Sequence, residues 1–213
     1  MKCRLAGDSL VILELGTTID PLQHARVVQL AAAVSAASLP GVTDVVPSYG
    51  TIGIHFQPLV TDLARLQATV QQVDASLPDV PVTGGVLHEI PVQYGGDDGP
   101  DLADIAAWAG CSEDAVVARH SEVEYRVYVL GFVPGFAYLG TVDPTIAAPR
   151  RRVPRDHVPA GSVGIAGAQT GIYPSSTPGG WQLIGRTSTV LFDRGRPPGA
   201  LLAPGDRVRF IPV

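Results

Sequence analysis

The chain has 213 residues, 46% of them apolar and 16% charged, with a formal charge of −5. That composition supports a core of ordinary size and argues against wholesale disorder. The acidic balance also argues against a nucleic-acid partner, which needs a concentrated cationic face.

Cys3 and Cys111 share no metal-ligand spacing. A disulfide scaffold or zinc ribbon is therefore not expected, and a reducing cytoplasm is the expected compartment. No apolar run reaches the ~18 to 20 residues of a membrane span. Asp8 and Glu14 interrupt the N-terminal apolar stretch, which does not read as a signal peptide.

In chain order, "DSLVILELG" is rich in apolar and β-branched residues and predicts a strand. Asp20 and Pro21 supply an N-cap and a first-turn proline, with Gln23 at the capping-box position. The helix that follows carries Leu22, Ala25, Val28, Ala31 and Val34 and stops at Pro40-Gly41. "VTDVVPSYG" and "TIGIHFQ" predict two strands joined around Gly50. Asp62 caps a second helix with a stripe of Leu63, Leu66, Val70 and Val73. A further strand is expected over 80–89. Strand, helix, two strands, helix, strand is the ferredoxin-like order.

From about Leu87, prolines and glycines become frequent. "DLADIAAWAG" predicts a short helix with Leu102, Ile105, Ala106 and Ala109 on one face, and Ser112 caps another reaching Arg119. "YRVYVLGF", "SVGIAG", "QLIGRTSTVLF" and "RVRFIPV" read as strands between turns, the pattern of a closed or nearly closed barrel. The expected architecture is α+β, with a ferredoxin-like domain over 1–85 and a β-barrel over 86–213.

Gly180 to Thr187 matches the P-loop pattern except for Arg186 in place of lysine. Its interior, Trp-Gln-Leu-Ile, suits a strand better than a phosphate cradle. His24, His55, His88, His120 and His157 are scattered without metal-ligand spacing, so no metal site is expected. "GFVPGFAYLG" sets Phe132 and Phe136 around Pro134-Gly135, either as a turn that caps the barrel or as a pocket wall. Arg150, Arg151, Arg152 and Arg155 form a cationic segment in an acidic chain, either an anion site or a solvated loop. Gln169, Tyr173 and Trp181 are candidates for a polar and stacking lining.

"YGGDDGPDL", "GFVPGFAYLG" and "VPAGSVGIAGAQTGIYPSSTPGGWQLIGRT" together resemble the signature blocks of the 5-oxoprolinase B-subunit family. That family is also called allophanate hydrolase subunit 1 and includes a sporulation-kinase inhibitor. The resemblance extends through the N-terminal half and implies a cyclophilin-like barrel behind a ferredoxin-like domain. It implies an ATP-dependent opening of 5-oxoproline to glutamate, with ATP and Mg used at the level of a complex. The implied partners are a carboxyltransferase-like C-subunit and an A-subunit that completes hydrolysis. Two other roles accompany it: a module inhibiting a sensor histidine kinase, and a component of allophanate or urea breakdown.

On that footing the candidate catalytic residues are His120, as a proton shuttle, and Arg150 and Arg155, for phosphate or a substrate carboxylate. Phe132, Pro134, Gly135, Gln169, Tyr173 and Trp181 are the candidate substrate contacts. The N–H groups of Gly161, Ser162, Gly164 and Gly167 are the candidate anion-binding loop.

Overall fold

Residues 1–79 and 84–213 are described by the computed structural model of the chain, which divides into two units, Met1–Gly84 and Gly85–Val213. The first unit contains strands β1 (Lys2–Leu5) and β2 (Leu10–Glu14), helix α1 (Pro21–Ala36), strands β3 (Val42–Pro47) and β4 (Thr51–Phe56), and helix α2 (Leu63–Ser76). Both helices start where short polar side chains satisfy free N–H groups. The Asp20 carboxylate accepts the Gln23 N–H at 2.7 Å, and that of Asp62 accepts the Arg65 N–H at 2.8 Å.

The α1 stripe differs from the expected one. His24, Ala25, Val27, Leu30, Ala31 and Val34 are buried, whereas Leu22 is 63% exposed. Steps of three fall about 60° short of a full helical turn each time, so a run counted from Leu22 starts on the exposed face and winds onto the buried one by Ala31 and Val34. On α2, Leu66 and Val70 are buried, with Leu63 and Val73 packed partly against the same cluster.

The sheet is antiparallel in the order β1-β2-β4-β3. The position beside β2, where the ferredoxin-like order needs a strand arriving after α2, is held by β1. Residues 80–83 of the strand expected over 80–89 lie outside the described residues. The observed strand is β5 (Leu87–Tyr94), which pairs in parallel with the last strand of the chain, from Leu87 opposite Arg207 to Val92 opposite Pro212.

The second unit continues with helices α3 (Leu102–Ala109) and α4 (Glu113–Ser121) and strands β6 (Glu124–Leu130) and β7 (Ala137–Gly140). A 3-10 turn (Pro144–Ile146) precedes β8 (Arg155–Val158), β9 (Ser162–Ala166), β10 (Gln169–Ile172), β11 (Thr177–Gly179), β12 (Gln182–Arg186) and β13 (Arg207–Pro212). Seven strands close a barrel in the order β10-β7-β6-β13-β5-β12-β9, and β8 pairs with β11 in a separate two-stranded sheet. Its core includes Ile90, Val92, Val127, Leu139, Val163, Ile165, Val208 and Phe210, with Ile105 of α3 and Val116 of α4 packed against them. Each such side chain contributes about 1.5 to 3 kcal/mol on burial.

The strand expected through "QLIGRTSTVLF" ends at Arg186. The Thr187 hydroxyl takes the Thr189 N–H at 3.1 Å, a local turn that competes with the ladder. Among the described residues, no helix is long and apolar enough to cross a membrane.

Candidate functional site

The turn between β6 and β7 builds one wall of a cavity of about 200 Å³. Gly135, at φ +83, presses that turn against Leu191 and Phe192, where a Cβ would lie 2.6 Å from the Phe192 Cβ. The same turn holds Phe132 at φ +70, a left-handed conformation rarely adopted by a bulky side chain. Its ring is 59% exposed. It stands edge-on to Phe136 at 5.5 Å and to Tyr173 at 6.4 Å. Phe136 in turn meets Trp181 at 5.5 Å, near-perpendicular, so the buried rings interlock beneath the exposed one.

Glycines let the aromatic rings of the opposite wall pack closely. A Cβ on Gly179 would come within 2.4 Å of the Tyr173 hydroxyl, and one on Gly171 within 3.2 Å of the Trp181 ring. Tyr138, Arg150, Pro154, Pro178 and Gly180 complete the lining. Burial holds the Tyr173 hydroxyl above its ordinary pKa, against the opposing effects of the Trp181 N–H, Arg150 and Arg155. It stays a neutral phenol near neutral pH.

The cationic segment divides sharply. Asp101, only 2% exposed, accepts Arg151 at 2.8 Å and Arg155 at 2.7 Å on one carboxylate oxygen, and the Leu183 N–H at 2.6 Å on the other. Arg155 also reaches the Trp181 carbonyl at 3.5 Å. Arg155 is therefore held from within as an anchor between α3 and β12, and because one carboxylate serves two guanidinium groups the trio keeps a net positive charge. Arg150 is exposed on the cavity lining and has no hydrogen bond or ion pair among the described residues. Nothing near Asp101 in the chain signals this role, because both arginines lie at least fifty residues downstream. Its side chain makes no cap bond to α3.

His120 does not reach the cavity. It is fully buried beneath Phe210, with the rings 4.6 Å apart. The Thr170 hydroxyl donates to the Gly164 carbonyl at 3.0 Å, so it accepts from the histidine Nε2–H at 2.8 Å. That leaves Nδ1 to accept the Tyr94 hydroxyl at 2.7 Å. The network assigns a neutral imidazole, and burial pulls its pKa down to about 3. A group with that environment is a structural core histidine, which corrects the proton-shuttle expectation.

The glycine run is likewise scaffold. The Gly161 N–H goes to the Tyr173 carbonyl at 2.7 Å, Ser162 N–H to Pro159 at 3.3 Å and Gly167 N–H to Ala148 at 2.7 Å. Gly164 lies mid-strand, opposite Gly171 on one side and Leu183 on the other. These donors are committed to the barrel, so the run does not form the expected anion loop. Gly161 is at φ +84, and a Cβ there would sit 2.1 Å from the Thr187 carbonyl oxygen. Gly161→Ala is expected to lower stability by about 2 to 3 kcal/mol in denaturant unfolding. Pro134 is exposed on the turn and Gln169 opens β10, opposite Gly140 and Ala166; neither lines the cavity.

The family described as "Carboxyltransferase domain, subdomain C and D" matches residues 1–202. The 5-oxoprolinase B-subunit of Escherichia coli O157:H7 is 46% identical over 215 residues, covering 99% of this chain and 95% of the relative. The chain belongs to the 5-oxoprolinase B-subunit family. The crystal structure of TTHA0988 superposes with a TM-score of 0.86 at 40% identity, over 96% of this chain and 40% of the other. The chain thus spans about two fifths of that protein. Kluyveromyces lactis urea carboxylase shares the fold, with a TM-score of 0.79 at 21% identity over 99% of this chain and 21% of its own.

In this member of the family, two of the signature blocks face the cavity. "GFVPGFAYLG" provides Phe132, Phe136 and Tyr138, and the longest block provides Tyr173 and the stretch from Pro178 to Trp181. The third block, "YGGDDGPDL", provides Asp101, which holds the segments next to that lining through Arg151, Arg155 and Leu183.

Proposed function

We propose that this chain is the B-subunit of an ATP-dependent 5-oxoprolinase that opens 5-oxoproline to glutamate. It works with a carboxyltransferase-like C-subunit, and with an A-subunit for complete hydrolysis, in the cytoplasm. The match of nearly the whole chain to nearly the whole of a named B-subunit carries this reading. In fold terms, the barrel is read as cyclophilin-like. The first unit is read as a ferredoxin-like variant whose edge strand comes from its own N-terminal hairpin.

Opening a lactam requires an oriented ring and stabilisation of charge on the transferred phosphoryl group. The aromatic cavity is suited to the first task. The glycine run is unsuited to the second, because its N–H groups already have partners. Among the described residues, no group of three or more His, Cys, Asp or Glu is placed to hold a metal ion. The reading places ATP and Mg at the level of the complex, and the isolated chain is expected to be inactive.

Co-expression with the neighbouring gene products, followed by assays with 5-oxoproline, allophanate and urea in parallel, tests the proposal. Release of glutamate and ADP that depends on 5-oxoproline, and on this chain, is expected. Turnover of allophanate or urea alone would overturn it. So would recovery of a sensor histidine kinase, and no C-subunit, with the native protein.

A further inference from the structure

Four arginines follow one another closely in this segment, and the structure treats them differently. Arg151 and Arg155 share the buried Asp101 carboxylate, and Arg152 is exposed and away from the cavity lining. Arg150 alone combines a place on that lining with the absence of any ion pair or hydrogen bond among the described residues. A guanidinium without a counterion beside a wall of aromatic rings suits one kind of ligand: a small flat ring carrying one carboxylate. The rings supply apolar faces, and the guanidinium supplies a fork that matches two carboxylate oxygens.

We infer that this cavity is a binding site for a small cyclic carboxylic acid, with Arg150 as the carboxylate partner and Phe132 as the exposed ring that covers it. The positive φ of Phe132 supports the assignment. A bulky residue is held in that conformation only where surrounding structure enforces it, and such strain collects at ligand sites. Phe132 is also among the chain's exposed large hydrophobic residues, yet its ring rests on Phe136 and Tyr173 instead of projecting freely. Gly179 and Gly180 add a passive element, because backbone without side chains lets Tyr173 and Pro154 close the lining there.

The choice of 5-oxoproline as probe rests on the proposed function; the site itself rests on the geometry. Trp181 lines the cavity, whereas Trp108, the other tryptophan, is 53% exposed on α3. In the full chain carrying Trp108→Phe, fluorescence therefore reports Trp181 alone. Titration with 5-oxoproline is expected to give a saturable change. 2-Pyrrolidinone, which keeps the ring without the carboxylate, and acetate, which keeps the carboxylate without the ring, should each bind roughly tenfold or more weakly. Arg150→Ala should weaken 5-oxoproline by roughly tenfold to a hundredfold, Arg150→Lys by less, and Arg152→Ala not at all.

Absence of saturable binding at millimolar 5-oxoproline overturns the inference. Equal affinity for 2-pyrrolidinone does the same, as does an Arg150→Ala chain that folds normally and binds as well as its parent. The two readings fail separately. A complex that turns over 5-oxoproline while the chain alone binds none removes this site and leaves the proposed function standing. A chain that binds the ring acid within a complex that turns over only urea or allophanate does the reverse.

Discussion

Replacing Asp101 by alanine is expected to cost about 3 kcal/mol of stability, the lower end of the range for breaking a buried ion pair by removing one partner. Asp101 keeps only 3% of its side chain in water, while Arg151 and Arg155 keep 34% and 22%. The two guanidinium groups thus retain some solvation when the carboxylate is gone, which holds the loss below the extreme. The Leu183 N–H, 2.6 Å from the second carboxylate oxygen, is the group left without any acceptor. Asp101→Asn keeps an oxygen for that N–H but removes the charge, so it should fall between the alanine variant and the native chain. Replacing the whole cluster with Asp101→Leu, Arg151→Met and Arg155→Met leaves no buried charge unpaired and should lie nearer the native stability than Asp101→Ala alone. Denaturant unfolding of the three variants reads this order. An alanine variant within about 1 kcal/mol of native would mean that the carboxylate does not clamp the two arginines.

The same cluster shows where sequence reasoning ends. Caps and periodicity are local, and they located α1, α2, α3 and α4 through Asp20, Asp62, Gly110 and Ser112. The longer apolar runs located β2, β3, β4, β6, β9 and β13 for the same reason. Strands of three or four residues such as β7, β10 and β11 contain glycine and carry too few side chains to show a period. Aromatic residues stand out among glycines and prolines, so Phe132, Tyr173 and Trp181 could be grouped from the sequence, and their rings do meet. The fate of the arginines was not. The partner that holds Arg151 and Arg155 lies 50 and 54 residues upstream of them, and nothing near them in the chain distinguishes them from Arg150. The glycine run was ambiguous for a related reason. Glycine serves both a phosphate cradle and a tightly packed barrel, and only the hydrogen-bond partners of its N–H groups separate the two.

His120 gives the second large effect, and its sign follows from which state holds the proton. Burial lowers the pKa in the folded chain to about 3 from the ordinary 6.5, so between those values the unfolded chain binds a proton that the folded chain excludes. The stabilisation is therefore complete above pH 6.5 and is lost as the pH falls towards 3. Its full size is on the order of 5 kcal/mol, and the slope within the window approaches about 1.4 kcal/mol per pH unit. Between about pH 6.5 and 5 most carboxylates remain ionised, so this interval is the one to measure. His120→Gln should lower stability at neutral pH by about 1 to 3 kcal/mol, because the bonds to Tyr94 and Thr170 are imperfectly replaced. It should also flatten the decline on acidification, and the difference between the two slopes separates this histidine from His24, which is buried as well. Equal slopes would show that His120 is not held neutral. Protonation would also leave Nδ1 donating towards a phenol that now donates to it, so Tyr94 would have to turn its hydroxyl hydrogen elsewhere. Tyr94 is half-buried, and burial raises its pKa, so turning that hydroxyl away from His120 costs a hydrogen bond that solvent only partly replaces. The acid lability is thus a property of the whole Tyr94–His120–Thr170 chain.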